Sequence, residues 1–240
     1  MPFFFLPLKE RREIAPGTME FVFDTAGSGY TFRAGQHASF TLIHPPHTDA
    51  EGNTRTFGFC TAPAHAEYFT IAMLVRPTAY KDSLETVPLG TKVRVSPALG
   101  DFVLHGDGSK PAVFLAEGIG ITTFAGMAED AALRRLPQRI YLFYSNPSKK
   151  EAAYFNELQK WEGQNPNFRF IPTLTGPPEP GWAGETGPIS AAMLRQHVPD
   201  LASAVCYVAG IPESVARLRK ILAEAGVKEA DVKVDEFTGY

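Results

Sequence analysis

The chain has 240 residues, enough for two modest domains, and its apolar and charged fractions of 44% and 20% are those of an ordinary globular protein. The formal net charge of -3 argues against a nucleic-acid-binding protein, which needs a basic surface, and no apolar stretch is long enough for membrane insertion. The two cysteines, Cys60 and Cys206, predict no metal site and no iron–sulfur cluster held by this chain alone, and free thiols indicate a cytoplasmic location.

The first part of the chain has the rhythm of an antiparallel β-sandwich or barrel. Short apolar or alternating runs are separated by Gly, Pro and polar turns, which is the pattern of short strands. One helix is predicted among them, at KDSLETV, and the motif RTFGFCTAP contains a further strand. The other predicted strands, in chain order, are PFFFLPL, MEFVFDT, QHASFTLI, EYFTIAMLV, TKVRVSP and DFVLH.

From Lys110 onward, compact strand-like runs alternate with helix-like stretches, which predicts βαβ units and a parallel sheet. The last helix has Pro212 in its first turn and Gly226 just past its end. The predicted strands are AVFLA, RIYLFYS, FRFIPTL, AVCYVAG and DVKVDEF. The predicted helices are TTFAGMAEDAALRRL, EAAYFNELQKWEG, ISAAMLRQHV and PESVARLRKILAEAG. The domain boundary is expected within LHGDGSKP.

The strongest local motif is AVFLAEGIGITTFAGM, in which a strand enters a glycine turn and a helix follows. Gly118 and Gly120 let the backbone turn tightly and approach a ligand, and the helix N-terminus offers free N–H groups to a phosphate. Two glycines in a βα turn also occur for steric reasons alone. The motif is not the longer fingerprint with three spaced glycines.

Two motifs in the first domain combine cations with structural elements that suit an anion. In RTFGFCTAP, Arg55 and Phe57 lie two residues apart and share one face of a strand, where they can hold a phosphate and a flat ring. In RPTAYKDSLETVPLG, Arg76 and Lys81 border a helix N-terminus. A barrel strand with one exposed arginine, and a capping helix with a solvated lysine, are the simpler explanations of each motif alone.

These motifs in this order, followed by YVAGIP and an aromatic end, resemble the ferredoxin–NADP reductase family over nearly the whole chain. The resemblance implies two domains: an antiparallel β-barrel that binds FAD, residues 1–107, and an α/β parallel-sheet domain that binds NAD(P), residues 108–240. It is nearest to stand-alone bacterial flavin reductases that end in Glu-Phe-x-Gly-Tyr and lack an iron–sulfur domain.

The family motif Arg-x-Tyr-Ser reads here Arg55-Thr56-Phe57-Gly58. By resemblance, Arg55 pairs with the FAD pyrophosphate and Phe57 stacks on the isoalloxazine. Gly58 replaces a serine that approaches flavin N5, so hydrogen bonding there comes from the backbone or Thr61, or is absent. The other residues expected at FAD lie around the short helix, and they are Arg76, Tyr80, Lys81, Asp82 and Ser83.

The family pattern Gly-Gly-x-Gly-Ile-Thr-Pro is retained in part, with Glu117 in place of its first glycine and Thr123 in place of its proline. The retained residues, expected beside the nicotinamide and pyrophosphate, are Gly118, Gly120, Ile121 and Thr122. In YVAGIP, Gly210 stands in the later Cys-Gly-Pro motif, with Ala209 where many members have cysteine.

The strand end at Ser145 and Asn146 is expected to meet the adenine ribose, followed by Lys149. Its neutral residues and the following lysines favour the extra phosphate of NADPH, whereas Pro147 stands where relatives often carry arginine. The cofactor is therefore left as NAD(P)H.

The chain ends in VDEFTGY, and by resemblance a C-terminal aromatic covers the flavin face and moves aside for nicotinamide. Phe237 and Tyr240 are both candidates, and with Phe57 and Gly58 they form the expected catalytic set. Either Asp235 or Glu236 stands near the carboxylate of the family.

We therefore predict an FAD-dependent NAD(P)H oxidoreductase that passes electrons to a separate one-electron carrier protein or small oxidant, such as a ferredoxin or flavodoxin. Three alternatives remain open from the sequence. One is a reductase of free flavin or ferric complexes. Another is a non-enzymatic flavin-binding electron-transfer or regulatory subunit. The third is a plain nucleotide-binding module, which leaves the barrel motifs unexplained.

Overall fold

The computed structural model describes residues 3–237, and its first half is a sheet of six antiparallel strands in the order β4-β3-β6-β1-β2-β5. This sheet curves into a barrel that is not closed by pairing, because β4 and β5 form its edges. A short helix, α1, follows β5. The bounds are β1 Phe4–Ala15, β2 Thr18–Asp24, β3 His37–Thr41, β4 Thr54–Gly58, β5 Tyr68–Leu74, α1 Ala79–Thr86 and β6 Lys92–Val95.

Alternation along the barrel strands separates a core from a solvent face. In β3, Ala38 and Phe40 are buried while the intervening Ser39 is half-buried and pairs across the sheet with Thr56. The inward positions are filled by large aromatic rings, which contribute most of the apolar area buried in this half. The rings of the barrel core include Phe21, Phe23, Phe40, Phe57, Phe59, Phe69 and Tyr80.

The second half is a parallel sheet in the order β10-β9-β8-β7-β11-β12 with helices packed against it. The chain runs outward from β7 to β9 and then returns to β11 on the other side of β7. Ligands of such sheets bind outside the carboxyl ends of the strands at this reversal. The bounds are β7 Ala112–Glu117, α2 Ile121–Leu133, β8 Ile140–Asn146, α3 Phe155–Gln164, β9 Phe168–Leu174, β10 Glu185–Thr186, α4 Ala191–His197, β11 Val205–Gly210, α5 Pro212–Glu224 and β12 Val232–Glu236.

Most predicted elements agree with the structure, including Pro212 in the first turn of α5 and Gly226 just past its end. The predicted strand DFVLH is wrong. This segment is irregular, because its Phe102 packs against Phe124 and Tyr207 of the α/β half instead of pairing in the barrel sheet. The predicted boundary at residue 107 stays a prediction.

Helix α2 joins the two halves by packing directly on barrel backbone. A Cβ atom on Gly126 would stand 2.7 Å from the carbonyl oxygens of Phe59 and Thr61, so only glycine permits this approach. The Glu129 carboxylate accepts a hydrogen bond from the backbone N–H of Ala62 at 2.7 Å. Among residues 3–237, no helix is both long and apolar enough to cross a membrane.

Candidate functional site

The N-terminus of α1 forms an anion-binding position at the edge of the barrel. Thr78 caps the helix, and its hydroxyl accepts a hydrogen bond from the backbone N–H of Lys81 at 3.3 Å. The N–H of Ala79, at the first helical position, donates to the carboxylate of Asp49 at 3.1 Å. A carboxylate at this place shows that the helix end attracts negative charge, as its exposed N–H groups and dipole require.

Cations surround this helix end, as predicted. Arg55 extends from β4 with its guanidinium 5.4 Å from the centre of the Tyr80 ring, and Arg76 is exposed in the loop before α1. Lys81 is buried, and its ammonium donates to the carbonyl of Leu74 at 2.8 Å. Burial lowers the pKa of Lys81 from 10.5 to about 8, and the charges of Arg76 and Arg55 add to the shift. A bound anion would relieve this mutual repulsion.

Two aromatic side chains expected at FAD, Phe57 and Tyr80, lie inside the barrel core. Phe57 is 4% exposed, and its ring packs against Phe40 and Tyr80 at centroid distances of 5.7 and 6.0 Å. Tyr80 is fully buried, and its hydroxyl donates to the carbonyl of Phe40 at 3.2 Å. Phe57 therefore presents little open ring in this structure, and stacking of this ring on the isoalloxazine stays a prediction.

The remaining barrel candidates divide into open and engaged groups. Thr56 is exposed on β4, and Asp82 lies half-buried in the first turn of α1. The Ser83 hydroxyl is buried and exchanges hydrogen bonds with the backbone of His47 at 3.1 and 3.2 Å. Thr61 is also buried, and its hydroxyl accepts from the N–H of Thr70 at 3.1 Å. That engagement makes Thr61 a weaker source for the hydroxyl missing at Gly58.

In the α/β half, the glycine turn lies at the sheet reversal. A Cβ on Gly120 would stand 2.3 Å from the carbonyl oxygen of Ala209, so glycine is required where the turn approaches β11. Gly118 has a φ of +49°, in the left-handed region. Ile121 is buried in the core, and the Thr122 hydroxyl donates to the carbonyl of Ile119 at 2.9 Å. The turn therefore offers backbone, not side chains, to a ligand.

A cleft of about 440 Å³ opens between this turn, the end of β8 and the barrel. Ser145 and Asn146 line it and are buried, and the buried Asn146 Oδ1 has no hydrogen-bond partner within residues 3–237. An ion pair between Glu117 and Arg217 also lines the cleft. The full lining is Leu74, Arg76, Glu117, Gly118, Ile119, Ser145, Asn146, Pro147, Thr175, Pro188, Ile211, Ser214 and Arg217.

Lys149 does not line this cleft. Its ammonium lies 4.7 Å from the centre of the Phe155 ring, and its backbone N–H donates to Glu179 at 2.9 Å. It borders a separate cleft of about 430 Å³ at the β9 edge of the sheet. The lysine that favoured NADPH from the sequence is thus turned away from Ser145 and Asn146.

Sequence reasoning did not assign a side-chain pair where the two halves meet. The Thr123 hydroxyl donates to Asp235 Oδ2 at 3.0 Å, and a Cβ on Gly58 would stand only 3.3 Å from the same Thr123 oxygen. Burial raises the pKa of Asp235, and the Thr123 hydrogen bond and nearby His37 oppose that rise. Two departures from the family pattern could have indicated this pair. Gly58 stands where the family has a serine, so a hydroxyl is absent there, and Thr123 stands where the family has a proline, so a hydroxyl is added nearby.

The end of β12 lies against the turn. The backbone N–H of Phe237 donates to the carbonyl of Gly210 at 2.9 Å, and the Phe237 ring packs on the edge of the α/β core. Phe237 is therefore placed at the predicted edge of the sheet. Tyr240, the other candidate for covering the flavin, lies outside the described residues.

Residues 114–220 match the family model described as an oxidoreductase NAD-binding domain. Among curated proteins, one component of the Na(+)-translocating NADH-quinone reductase of Methylococcus capsulatus is 31% identical over 155 residues, which cover 62% of this chain and 38% of that protein. The equivalent component in Pseudomonas aeruginosa is 32% identical over 156 residues, again 62% of this chain and 38% of that protein. The chain thus spans less than half the length of these relatives.

Solved structures match nearly the whole chain. A cytochrome P450 reductase from Amycolatopsis has a TM-score of 0.84 at 21% identity, covering 99% of this chain and 70% of that one. The FAD/NAD-binding domain of a Vibrio cholerae nitric oxide dioxygenase has 0.84 at 18%, covering 98% of both. A Neisseria gonorrhoeae ferredoxin NADP+ reductase, solved with FAD and NADP, has 0.78 at 18%, covering 98% of this chain and 99% of that one. These matches confirm the predicted two-domain fold.

Proposed function

We propose that this chain, a ferredoxin reductase-like flavoprotein by its fold and its NAD-binding domain, is an FAD-dependent NAD(P)H oxidoreductase that supplies electrons to a separate acceptor. The predicted family is confirmed, and the predicted cofactor pair of FAD and NAD(P) is the pair carried by members of this family. The observation that supports the proposal is a cleft that both halves line, with Arg76 of the loop before α1 on one side and Gly118 of the glycine turn on the other.

The barrel position fits the pyrophosphate of FAD. Arg55, Arg76 and Lys81 supply positive charge, and the N-terminus of α1 supplies backbone donors. A guanidinium pairs with phosphate through two parallel hydrogen bonds, whereas a helix end adds directional N–H groups. Thr56, which is exposed, and Gly58, which is half-buried, are the positions of β4 that face a flavin in this proposal.

The α/β position fits a nicotinamide dinucleotide. The turn at Gly118 and Gly120 presents backbone at the sheet reversal, and the cleft of about 440 Å³ extends from it to Ser145 and Asn146. We infer that the free Asn146 oxygen and the Ser145 hydroxyl hold the ribose. With Lys149 turned away and curated relatives named for NADH, NADH is the nucleotide we expect to be preferred.

Bound FAD would supply the redox chemistry itself, accepting hydride from the nicotinamide and releasing electrons one at a time. The residues of the chain bind and orient. Thr123, held by Asp235, directs its hydroxyl toward the space beside Gly58, where a side chain is absent. Gly210 and Phe237, joined by a backbone hydrogen bond, border the nicotinamide side and exclude water from it.

Two classes of electron acceptor fit the proposal. A ferredoxin, flavodoxin or other one-electron carrier follows from the family resemblance, and the relatives named as components of a quinone reductase favour a second candidate. In that second function, the chain passes electrons from NADH onward within a larger assembly, as the name of the matched relative suggests. A cytoplasmic location stays a prediction.

The test is reconstitution with FAD followed by anaerobic mixing with NADH or NADPH. The expected result is a yellow protein that bleaches on mixing, faster with NADH. A protein that retains no FAD, or binds it without bleaching, contradicts the oxidoreductase function. Reoxidation by a panel of ferredoxin, flavodoxin, ferric chelates and a soluble quinone then separates the acceptor classes.

A further inference from the structure

The loop between β3 and β4, residues 42–53, folds over the N-terminus of α1 and will be called the acidic loop. Its base is closed by two hydrogen bonds between Leu42 and Asn53, at 2.7 and 2.9 Å. Its apical residues are exposed, yet it reaches the buried Ser83 hydroxyl through the backbone of His47. The loop therefore lies on the same groups that the barrel offers to a pyrophosphate.

Two carboxylates of the acidic loop use donors that suit phosphate. Asp49 Oδ2 accepts from the first N–H of α1 at 3.1 Å, and Glu51 Oε2 accepts from the Arg55 guanidinium at 2.7 Å. The two residues belong to one turn, because Asp49 Oδ1 also accepts from the N–H of Glu51 at 3.0 Å. They therefore present a double negative charge as one unit, which is what a pyrophosphate presents.

The same turn occupies the second terminal nitrogen of Arg55. Nη1 donates to the carbonyls of Glu51, Gly52 and Thr54 at 3.1, 3.2 and 2.8 Å. Both terminal nitrogens of the guanidinium thus face the loop, so the end-on pair of N–H groups that they form is occupied while the loop keeps this position.

We propose that the acidic loop is an internal anionic competitor for the FAD pyrophosphate, and that Asp49 and Glu51 set the affinity of this chain for FAD. The inference rests on the proposed function, since it assumes that FAD binds at α1. The donors at Ala79 and Arg55 serve either the loop carboxylates or a pyrophosphate. FAD binding therefore requires the loop to move, and the carboxylates repel the incoming phosphates as well.

The structure makes this exchange physically accessible. Residues 46–54 are exposed, and the hydrogen bonds of Asp49 to α1 and of Glu51 to Arg55 lie at the surface. Segments of this kind open locally at low cost in free energy. The consequence is a flavin that is held less tightly than the cations alone would hold it, and that exchanges with flavin in solution.

A series of flavins separates this role from a general effect on the fold. Riboflavin has no phosphate, FMN has one phosphate, and FAD has the pyrophosphate. The dissociation constant of each is measured by flavin fluorescence for the natural chain and for the double variant Asp49→Asn/Glu51→Gln. The matched control is Glu67→Gln/Glu157→Gln, which removes two exposed carboxylates of other surfaces.

We expect the double variant to bind FAD about tenfold more tightly, since each carboxylate contact is a surface interaction of modest strength. FMN should gain less, while riboflavin affinity and the control variant should not change. Equal gains for riboflavin and FAD, or an unchanged FAD affinity in the double variant, would overturn the inference and leave the proposed function standing. Absence of FAD binding in every variant overturns both.

Hydrogen–deuterium exchange of the natural chain provides a readout independent of affinity. The N–H groups of Glu51 and Gly52 are bound to Asp49 at 3.0 and 3.2 Å, so they are protected while the turn is formed. Saturating FAD should accelerate exchange in residues 47–53. Protection that is unchanged or increased there would show that the loop stays in place, contrary to the inference.

Discussion

The two anion-binding positions proposed for this protein are built in different ways. At α1, cationic side chains and the helix N-terminus supply the attraction, and Glu51 already pairs with Arg55 while Asp49 accepts from the N–H of Ala79. At the turn of Gly118 and Gly120, backbone supplies the donors, and the steric demand at Ala209 holds the turn in place. A charged site can be tuned by nearby charges, whereas a glycine turn depends on close packing. Substitutions at the α1 position should therefore leave the fold stable, whereas substitutions in the turn of Gly118 and Gly120 should destabilise it.

The largest effect is expected at the glycine turn, where a backbone carbonyl leaves no room for a side chain. Gly120→Ala would push a methyl group to 2.3 Å from the Ala209 carbonyl, so β11 and α2 must separate. We expect a loss of about 3 kcal/mol in the free energy of unfolding, measured by urea denaturation. Gly108→Ala is the control, because no atom lies within 4 Å of a Cβ built there. Equal unfolding midpoints for the two variants would contradict the steric origin of the turn.

At the charged position, binding should change more than stability. Arg55→Gln removes the guanidinium beside α1 and should raise the dissociation constant of FAD about 30-fold, which corresponds to about 2 kcal/mol for a charge-assisted contact. The change is measured by flavin fluorescence. Arg134→Gln removes an exposed arginine paired with Asp130 at 3.0 Å on α2 and serves as the charge-matched control. A similar loss of FAD affinity in both variants would show that only the net charge of the protein matters, not the position of Arg55.

The Thr123–Asp235 pair, which lies in the α/β half beside Gly58 of the barrel, should show a smaller effect. Thr123→Val removes the hydrogen bond that opposes the burial of Asp235, so the pKa of Asp235 should rise further. We expect anaerobic bleaching by NADH to slow about fivefold, near 1 kcal/mol. Carboxyl titration by NMR measures the pKa independently of turnover, and Thr86→Val on α1 is the control. If the pKa of Asp235 is the same in Thr123→Val and in the natural chain, the Thr123 hydroxyl does not stabilise the Asp235 carboxylate.

The last prediction concerns the pH dependence of stability. The pKa of Lys81 is about 8 in the folded protein against 10.5 ordinarily, so the folded state loses this proton at lower pH than the unfolded chain. The contribution of Lys81 to stability therefore increases as pH rises from 8 to 10.5. Urea unfolding of Lys81→Met should show a stability relative to the natural chain that declines over this interval. A difference independent of pH would mean that burial does not perturb Lys81.

The sequence by itself determined the types and order of the elements. Apolar periodicity distinguishes strands from helices, because each must bury one face, and glycine and proline mark where each ends. The strand FRFIPTL was predicted over the residues that form β9, and the helix beginning at Pro212 was predicted with both its ends. The two proposed anion positions rest on the same kind of sequence signal, since each lies at a helix N-terminus that follows a strand or loop rich in glycine or cations.

Only the tertiary structure decided where the side chains of the site face and what they contact. Phe57 packs into the barrel core, Lys149 turns toward Phe155, and Thr123 meets Asp235 across 112 positions of the chain. The segment DFVLH is irregular for a similar reason, because its Phe102 packs against Phe124 of the α/β half. Periodicity reports only that a residue is apolar or polar on its own element. Contacts between residues distant in sequence depend on how the elements pack together. That packing places the loop carrying Asp49 and Glu51 against α1.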